Sequence, residues 1–146
     1  MTLPTKESGQ ALVELALVLP IFFLILIGAA EFARLAYASI GVANAARAGI
    51  QYGAQNHRTA VDFSGMNQAA VQDSINLPTL KATASNFCIC SNGNTITCAT
   101  AAGSCTARIL DYVKVNTSVV IDPLFYLPGL PKSYTLHGQA VMRVEQ

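Results

Sequence analysis

The sequence contains little of what catalysis or nucleic-acid binding requires. Nine Lys and Arg residues against eight Asp and Glu leave a net charge of +1, and no basic run occurs, so a nucleic-acid partner is not expected. His57 and His137 have no acid or nucleophile at a recognisable spacing, and each is interpreted as a solvated or satisfied histidine. A phosphate-binding Gly loop and an EF-hand loop are also missing. The sequence therefore predicts a protein that is not an enzyme and uses no metal or cofactor.

Charge is also scarce in the N-terminal part of the chain. Between residues 9 and 30 the only charged side chain is Glu14, and residues 15–30 carry none. A helix needs about 20 apolar residues to cross a bilayer, and residues 11–30 provide that length. Pro20 does not argue against a span, because membrane helices tolerate a proline kink. The segment predicts a membrane anchor; the alternative is a buried helix of a soluble protein.

Small side chains recur at four-residue intervals from the end of the anchor. Residues four apart are neighbours on a helix surface, and here they are Ala29, Ala33, Gly41, Ala45, Gly49 and Gly53, interrupted by Tyr37. Such a stripe lets another helix approach closely, so the last four are predicted helix-assembly residues. Residues 10–53 are predicted to form one helix about 65 Å long, at about 1.5 Å per residue. The alternative is several short helices divided at the glycines, since each Gly costs about 1 kcal/mol relative to Ala.

The start of this segment has a recognisable pattern. A Gly, four mostly apolar residues, a Glu and a long apolar helix resemble the leader of type IV pilin-like proteins. The longer stretch is similar to the TadE-like family of minor pseudopilins from tight-adherence (Tad/Flp) pilus systems. The matching features are Gly9, Glu14, Leu19-Pro20, Glu31-Phe32 followed by Arg34, and Ala45-Ala46-Arg47 with Gly49.

The resemblance implies a location and a set of partners. In this family a prepilin peptidase cuts after the Gly on the cytoplasmic face, which implies cleavage between Gly9 and Gln10 and makes Glu14 the fifth residue of the mature chain. The other implied partners are pilin and pseudopilin subunits, the inner-membrane pilus assembly platform and membrane lipid. The chain is then expected to cross the bacterial inner membrane once, with its C-terminal domain outside the cytoplasm. Charge counting points the other way, because more Lys and Arg residues follow the span than precede it.

A second kind of processing is also compatible with the N-terminal segment. A short polar start, an apolar run and the small residues Gly28-Ala29-Ala30 are typical of a secretory signal peptide. Glu14 and Pro20 interrupt the apolar run, and the small-residue stripe continues past residue 30. These two features favour a retained helix over a removed signal peptide.

The remainder of the chain predicts an antiparallel sheet with a helix. Asp62 or Ser64 is expected to cap a helix over residues 66–75. Its apolar side is expected to hold Ala70, Val71 and Ile75. Alternation of apolar and polar residues predicts strands within residues 79–90, 95–98, 109–121 and 133–145. The fold class is α+β: a long N-terminal transmembrane and stalk helix packed on a small antiparallel sheet domain, which resembles the pilin architecture. The expected domains are a leader (1–9), a transmembrane and stalk helix (10–56) and a head (57–146).

The four cysteines, Cys88, Cys90, Cys98 and Cys105, are close together in the head. Four thiolates can hold zinc, but structural zinc sites usually use two C-x(2–4)-C pairs, which this spacing does not contain. An even number of cysteines in a small domain outside the cytoplasm favours two disulfides. Three pairings are possible. A hairpin turning at Asn92-Gly93 would bring Cys98 close to Cys88 and leave Cys90 for Cys105.

These observations favour a structural role. The leading hypothesis is a minor pseudopilin that assembles with pilin-like partners through its N-terminal helix, with Glu14 as the functional residue of that helix. The alternative is a membrane-tethered extracytoplasmic module whose disulfide-stapled head binds a ligand, with the anchor serving only as a tether.

Overall fold

The computed structural model describes residues 8–105, 108–126, 129 and 131–145. In chain order the elements are α1 (Ser8–Gly53), α2 (His57–Ala60), α3 (Phe63–Asp73), β1 (Lys81–Cys90), β2 (Thr95–Ile96), a 3-10 turn (Cys98–Thr100), α4 (Ala101–Ser104), β3 (Ile109–Ile121) and β4 (Tyr134–Arg143). Contacts divide the chain into two units, Met1–Ala36 and Tyr37–Gln146. The predicted α+β fold, with a long helix packed on an antiparallel sheet, is confirmed.

Helix α1 is one element of 46 residues. The predicted continuous helix is therefore confirmed, and the division into short helices at the glycines is wrong. Pro20 lies inside the helix. After α1 ends, the Asn56 side chain accepts hydrogen bonds from the backbone N–H groups of Arg58 and Thr59 at 2.9 and 3.0 Å and so caps α2. This short helix was not predicted.

Helix α3 begins and ends earlier than predicted. Asp62 is its N-cap, and the carboxylate accepts a hydrogen bond from the Gly65 N–H at 2.9 Å. Met66 and Ala70, four residues apart, are buried. The prediction that Ile75 lies on the buried side is wrong, because the helix ends at Asp73 and Ile75 is 87 % exposed in the turn that follows. Val71, predicted on the same side, is also exposed.

The sheet has the strand order β2-β1-β3-β4, and each neighbouring pair is antiparallel. Strand β3 has the predicted bounds and pairs along ten residues with each neighbour. Strand β2 contains only Thr95 and Ile96, so the predicted return strand is shorter than expected. It ends early because the chain enters the 3-10 turn at Cys98, which is bonded to Cys88.

The core lies between one face of the sheet and two helices, α3 and the last part of α1. Alternate residues of β3 point into it, and Val113 and Val115 are fully buried. The side chains that pack around them form two clusters, which include Val42, Ala45 and Ile50 of α1 and Met66 and Ala70 of α3. Because burying a Val or Met side chain contributes about 1.5–3 kcal/mol, these clusters hold residues 37–53 of α1 to the sheet.

The backbone of α1 lies directly against the sheet at Val42. A Cβ atom at Gly138 would lie 2.7 Å from the Val42 carbonyl oxygen and 2.9 Å from the carbonyl carbon. Thr117, which faces Gly138 in the β3–β4 register, is buried, and its hydroxyl donates a hydrogen bond to the Val42 oxygen at 2.8 Å. The absence of a side chain at Gly138 therefore lets the backbone of α1 approach the sheet. The buried Thr117 hydroxyl is satisfied by its hydrogen bond to the Val42 oxygen.

We expect Gly138→Ala to lower the free energy of unfolding by about 1–3 kcal/mol, the range for overpacking a core. The reason is that the added methyl group meets backbone atoms of Val42, which cannot rotate away. Gly103→Ala in α4 is the matched control, because nothing lies within 4 Å of its Cβ position. Denaturant unfolding of the full chain in detergent measures both. A Gly138→Ala variant as stable as Gly103→Ala would contradict the close contact.

Candidate membrane and assembly surface

The N-terminal unit, Met1–Ala36, contains the apolar part of α1. From Leu12 to Ile27 every large apolar side chain is between 41 % and 73 % exposed. The most apolar stretch has a mean hydropathy of 2.7, and none of it is buried within the protein. An apolar surface of this extent is typical of a membrane or protein contact. The helix is long and apolar enough to cross a membrane.

The predicted cleavage and pairing residues lie in the first turns of α1. Gly9, Gln10 and Glu14 are all exposed, and nothing lies within 4 Å of a Cβ placed on Gly9. The Gln10 amide nitrogen donates a hydrogen bond to Glu14 Oε1 at 3.3 Å, because residues four apart share a helix face. Residues 1–7 of the predicted leader lie outside the described residues. Cleavage after Gly9 and the role of Glu14 stay predictions.

An ion pair follows the apolar run on the same helix. Arg34 Nη2 donates a hydrogen bond to Glu31 Oε1 at 2.8 Å, and both side chains are partly buried. Opposite charges held this close reduce the cost of placing either one beside an apolar segment. Both residues belong to the motif that carries the family resemblance, but their pairing was not predicted.

The four small residues predicted for helix assembly contact the protein's own head. Ala45 is fully buried. A Cβ at each glycine would touch a neighbour: Leu77 Cδ1 at 3.1 Å for Gly41, the Met66 carbonyl oxygen at 2.9 Å for Gly49, and the Met66 side chain for Gly53. In this structure the stripe therefore fits α1 against its own head. A role for it in contact with another helix stays a prediction.

The end of α1 is joined to the start of α3 by a polar network. The Tyr52 hydroxyl donates a hydrogen bond to Asp62 Oδ2 at 2.7 Å. The Gly65 N–H bond, followed by the Tyr52 bond, lowers the pKa of Asp62, while the bond to Asp62 raises the pKa of Tyr52. Both shifts favour the ionised Asp and the protonated Tyr. A Cβ at Gly65 would collide with both side chains, so this close contact requires glycine.

The head contains two disulfides, Cys88–Cys98 and Cys90–Cys105, with Cα atoms 4.9 and 5.5 Å apart. They have the pairing expected from a hairpin at Asn92-Gly93. The sulfur atoms of Cys88 and Cys98 lie near an Asp111 oxygen. These two sulfurs are bonded to each other and offer no thiolate, and zinc binds cysteine as the thiolate. The zinc alternative therefore does not fit the described structure.

Asp111 links the first disulfide to α2. Its Oδ1 atom lies 2.9 Å from Cys88 Sγ, and because a disulfide sulfur carries no proton, this is a close contact rather than a hydrogen bond. Its Oδ2 atom lies 2.9 Å from His57 Nδ1. His57 is thus a satisfied histidine on the surface, one of the two expected environments. Its partner was not predicted, because the two residues are far apart in the sequence.

The comparison with known families bears on the N-terminal helix. Residues 9–51 match the model of the TadE-like protein family, which confirms the resemblance drawn from the sequence. This family is associated with Tad pili and is structural, without a known enzymatic activity. No curated protein and no solved structure matches the chain. The family match ends within α1, so the sheet of the head lies outside it.

We expect loss of a disulfide to destabilise the head. Replacing Cys90 and Cys105 together by Ser should lower the free energy of unfolding by about 2–5 kcal/mol, because the bridge restricts the unfolded chain. Ser91→Ala, at an exposed neighbouring position, is the control and should have little effect. Denaturant unfolding measures the change, and thiol labelling checks the wild-type protein. Four reactive thiols, or one equivalent of bound zinc, would contradict the assignment.

Proposed function

Because residues 9–51 match the TadE-like family, we propose that this chain is a minor pseudopilin of a Tad/Flp-type pilus assembly system. In this proposal residues 1–9 are the leader, residues 10–56 the transmembrane and stalk helix, and residues 57–146 the head. The helix anchors the chain in the bacterial inner membrane, and the head lies outside the cytoplasm. The role is structural: the protein primes or controls assembly of an adhesive pilus.

One observation carries this proposal. The helix segment that matches the family is apolar, and no other part of the described chain packs over its most apolar stretch. The apolar part of α1 lies within the matched residues, and none of its most hydropathic stretch is buried within the protein. Lipid covers such a surface on an isolated chain, and other subunits cover it in an assembly. Pilin and pseudopilin subunits and the inner-membrane assembly platform are the partners proposed for it.

The disulfides support the proposed side of the membrane. Disulfides persist in oxidising compartments such as the bacterial periplasm and are rare in the cytoplasm. Both bridges lie in the head. A head outside the cytoplasm agrees with this chemistry, whereas counting Lys and Arg beside the span favours the opposite orientation.

Glu14 is the proposed pairing residue of the helix. The described partner of its carboxylate is a neutral amide, that of Gln10, at 3.3 Å. An acidic side chain in a membrane segment is costly unless it is paired. After cleavage, the new amine of Gln10 would lie one helical turn away, and a neighbouring subunit could bring its own amine to Glu14. Attraction between opposite charges is much stronger in a low-dielectric setting than in water, so a carboxylate whose described partner is neutral favours association with a cationic group of another subunit.

We expect Glu14→Ala and Glu14→Gln to leave membrane insertion intact and to abolish co-assembly with pilin partners. Glu14→Gln keeps the size of the side chain and removes only its charge. Val13→Ala shortens the neighbouring side chain at a similar depth and is the matched control, which should assemble like wild type. Cross-linking in membranes measures co-assembly, and carbonate extraction measures insertion.

Two outcomes of the assembly experiments would contradict the proposal. If the Glu14→Gln variant cross-links to its partners as well as wild type does, the charge of Glu14 plays no part in assembly. Full pilus production after replacement of residues 9–30 by an unrelated anchor would favour the tethered binding module, since a pseudopilin depends on this helix for assembly.

We expect the mature protein to begin at Gln10. Gly9→Phe should therefore accumulate a precursor nine residues longer, because a bulky side chain blocks a cut after a small residue. Gly28→Phe is the matched control, since both glycines have free space around the Cβ position and Gly28 belongs to the alternative signal-peptide site. Mass spectrometry of protein from membranes identifies the N-terminus. A wild-type chain that begins at Met1 or Glu31 would refute cleavage at Gly9.

A further inference from the structure

Strand β4 forms an open edge of the sheet. It has ten residues, all paired with β3, and in the described part of the chain no strand pairs with its other side. The backbone N–H and C=O groups on such a side form a template for another strand. The first question is which of these groups face outward.

The backbone groups of an antiparallel strand alternate between its two sides. The Val144 N–H donates to the Asp111 carbonyl at 2.9 Å, so the even-numbered residues of β4 turn their backbone groups toward β3. Glu145 follows the alternation, because its N–H points away from β3 and donates to the Ala54 carbonyl at 2.9 Å. The residues of β4 whose backbone groups face the open side are Thr135, His137, Gln139, Val141 and Arg143.

Strand β4 lacks the features that usually protect a sheet edge. Natural edges are kept short, interrupted by a bulge or Pro, or lined with Lys. The register of β4 with β3 is unbroken over all ten residues, and β4 contains no Pro and no Lys. Arg143, at its last position, is its only Lys, Arg, Asp or Glu. Within the described residues the edge is therefore open to a strand along nearly its full length.

The opposite side of the sheet is open over part of β1. Strand β2 pairs with β1 only at Cys88 and Ile89, and within the described residues no strand lies beside residues 81–87 on that side. Strands β1 and β4 both run antiparallel to β3, so they run parallel to each other. The two open edges of one sheet thus have matching strand directions for joining two copies.

We propose that β4 pairs in parallel with residues 81–87 of β1 in a second copy of this chain. This contact extends the sheet from one head to the next and goes beyond the helix contacts of the proposed function. It leaves both copies in the same orientation, so both α1 helices run in the same direction, as two anchors in one membrane require. Pairing of β4 with β4 in antiparallel fashion would reverse one helix. Because two different edges meet in this contact, each copy still has one free edge for the next copy. The heads therefore form a row.

A photo-cross-linking residue in place of His137 tests this contact in the full chain within its native membrane. His137 is exposed and lies on the open edge. We expect adducts between two copies that map by mass spectrometry to residues 81–87. The same probe at Ser118 is the matched control, because Ser118 faces His137 in the register but belongs to the central strand. The control should give at least tenfold fewer of these adducts.

A pair of charge substitutions then tests the direction of pairing. In parallel pairing residues 81–87 lie opposite residues 135–141, so that Ser85 lies opposite Gln139, whereas antiparallel pairing of the same ranges places Thr83 there. Ser85 and Gln139 are exposed and lie on the sheet face opposite the core. With the probe at His137, Gln139→Lys with Ser85→Lys should reduce the adduct yield by roughly fivefold, because like charges opposed on neighbouring strands repel. Gln139→Lys with Ser85→Glu should restore it. Adducts that map elsewhere in the chain, adducts with a different protein, or no adduct at His137 would each overturn the proposal.

Discussion

The head depends on the contact between the backbone of α1 at Val42 and the sheet at Gly138 and Thr117. The helix can lie this close because Gly138 has no side chain, and the approach is compatible with burial because the Thr117 hydroxyl donates to the Val42 carbonyl. The same close packing explains the small side chains farther along the helix. With Gly49 against Met66 and Ala70, α3 fits beside α1 and packs on the same sheet face.

Long periodic elements could be predicted from the sequence, whereas short ones could not. The uncharged run ending at residue 30 and the alternation along β3 each extend over many residues, so the bounds of β3 agreed with the structure. Helix α2 depends on a local cap formed by Asn56 and Thr59, and β2 ends just before Cys98, which bonds to Cys88. A single cap or a distant covalent bond leaves little periodic signal, which is why these elements were missed or overextended. The burial expected for Ile75 failed because it assumed that α3 continues past Asp73.

Contacts of the candidate site could also be predicted where they are local in the sequence, but not where they join distant residues. Cys88 and Cys98 are brought together by a local hairpin, so their pairing followed from sequence spacing. The partners of His57 and of the glycine stripe are long-range contacts, which no spacing specifies. A helix stripe of small residues indicates that something approaches closely, but not whether it is another helix or the protein's own sheet. In this chain the structure assigns residues 41–53 to the sheet and α3, and it leaves the apolar segment uncovered.

Two acidic residues flank that apolar segment, and their surroundings differ in a way that bears on assembly. Glu31 accepts a hydrogen bond from a cation, Arg34, at 2.8 Å, whereas the bond that Glu14 accepts from Gln10 is neutral and longer, at 3.3 Å. Charge-assisted hydrogen bonds are shorter and stronger than neutral ones, so Glu31 gains little from a second cation. In the proposed assembly the electrostatic gain is therefore concentrated at Glu14. In this proposal the apolar helix supplies contact surface without direction, and Glu14 would make one depth and one register more favourable than the others.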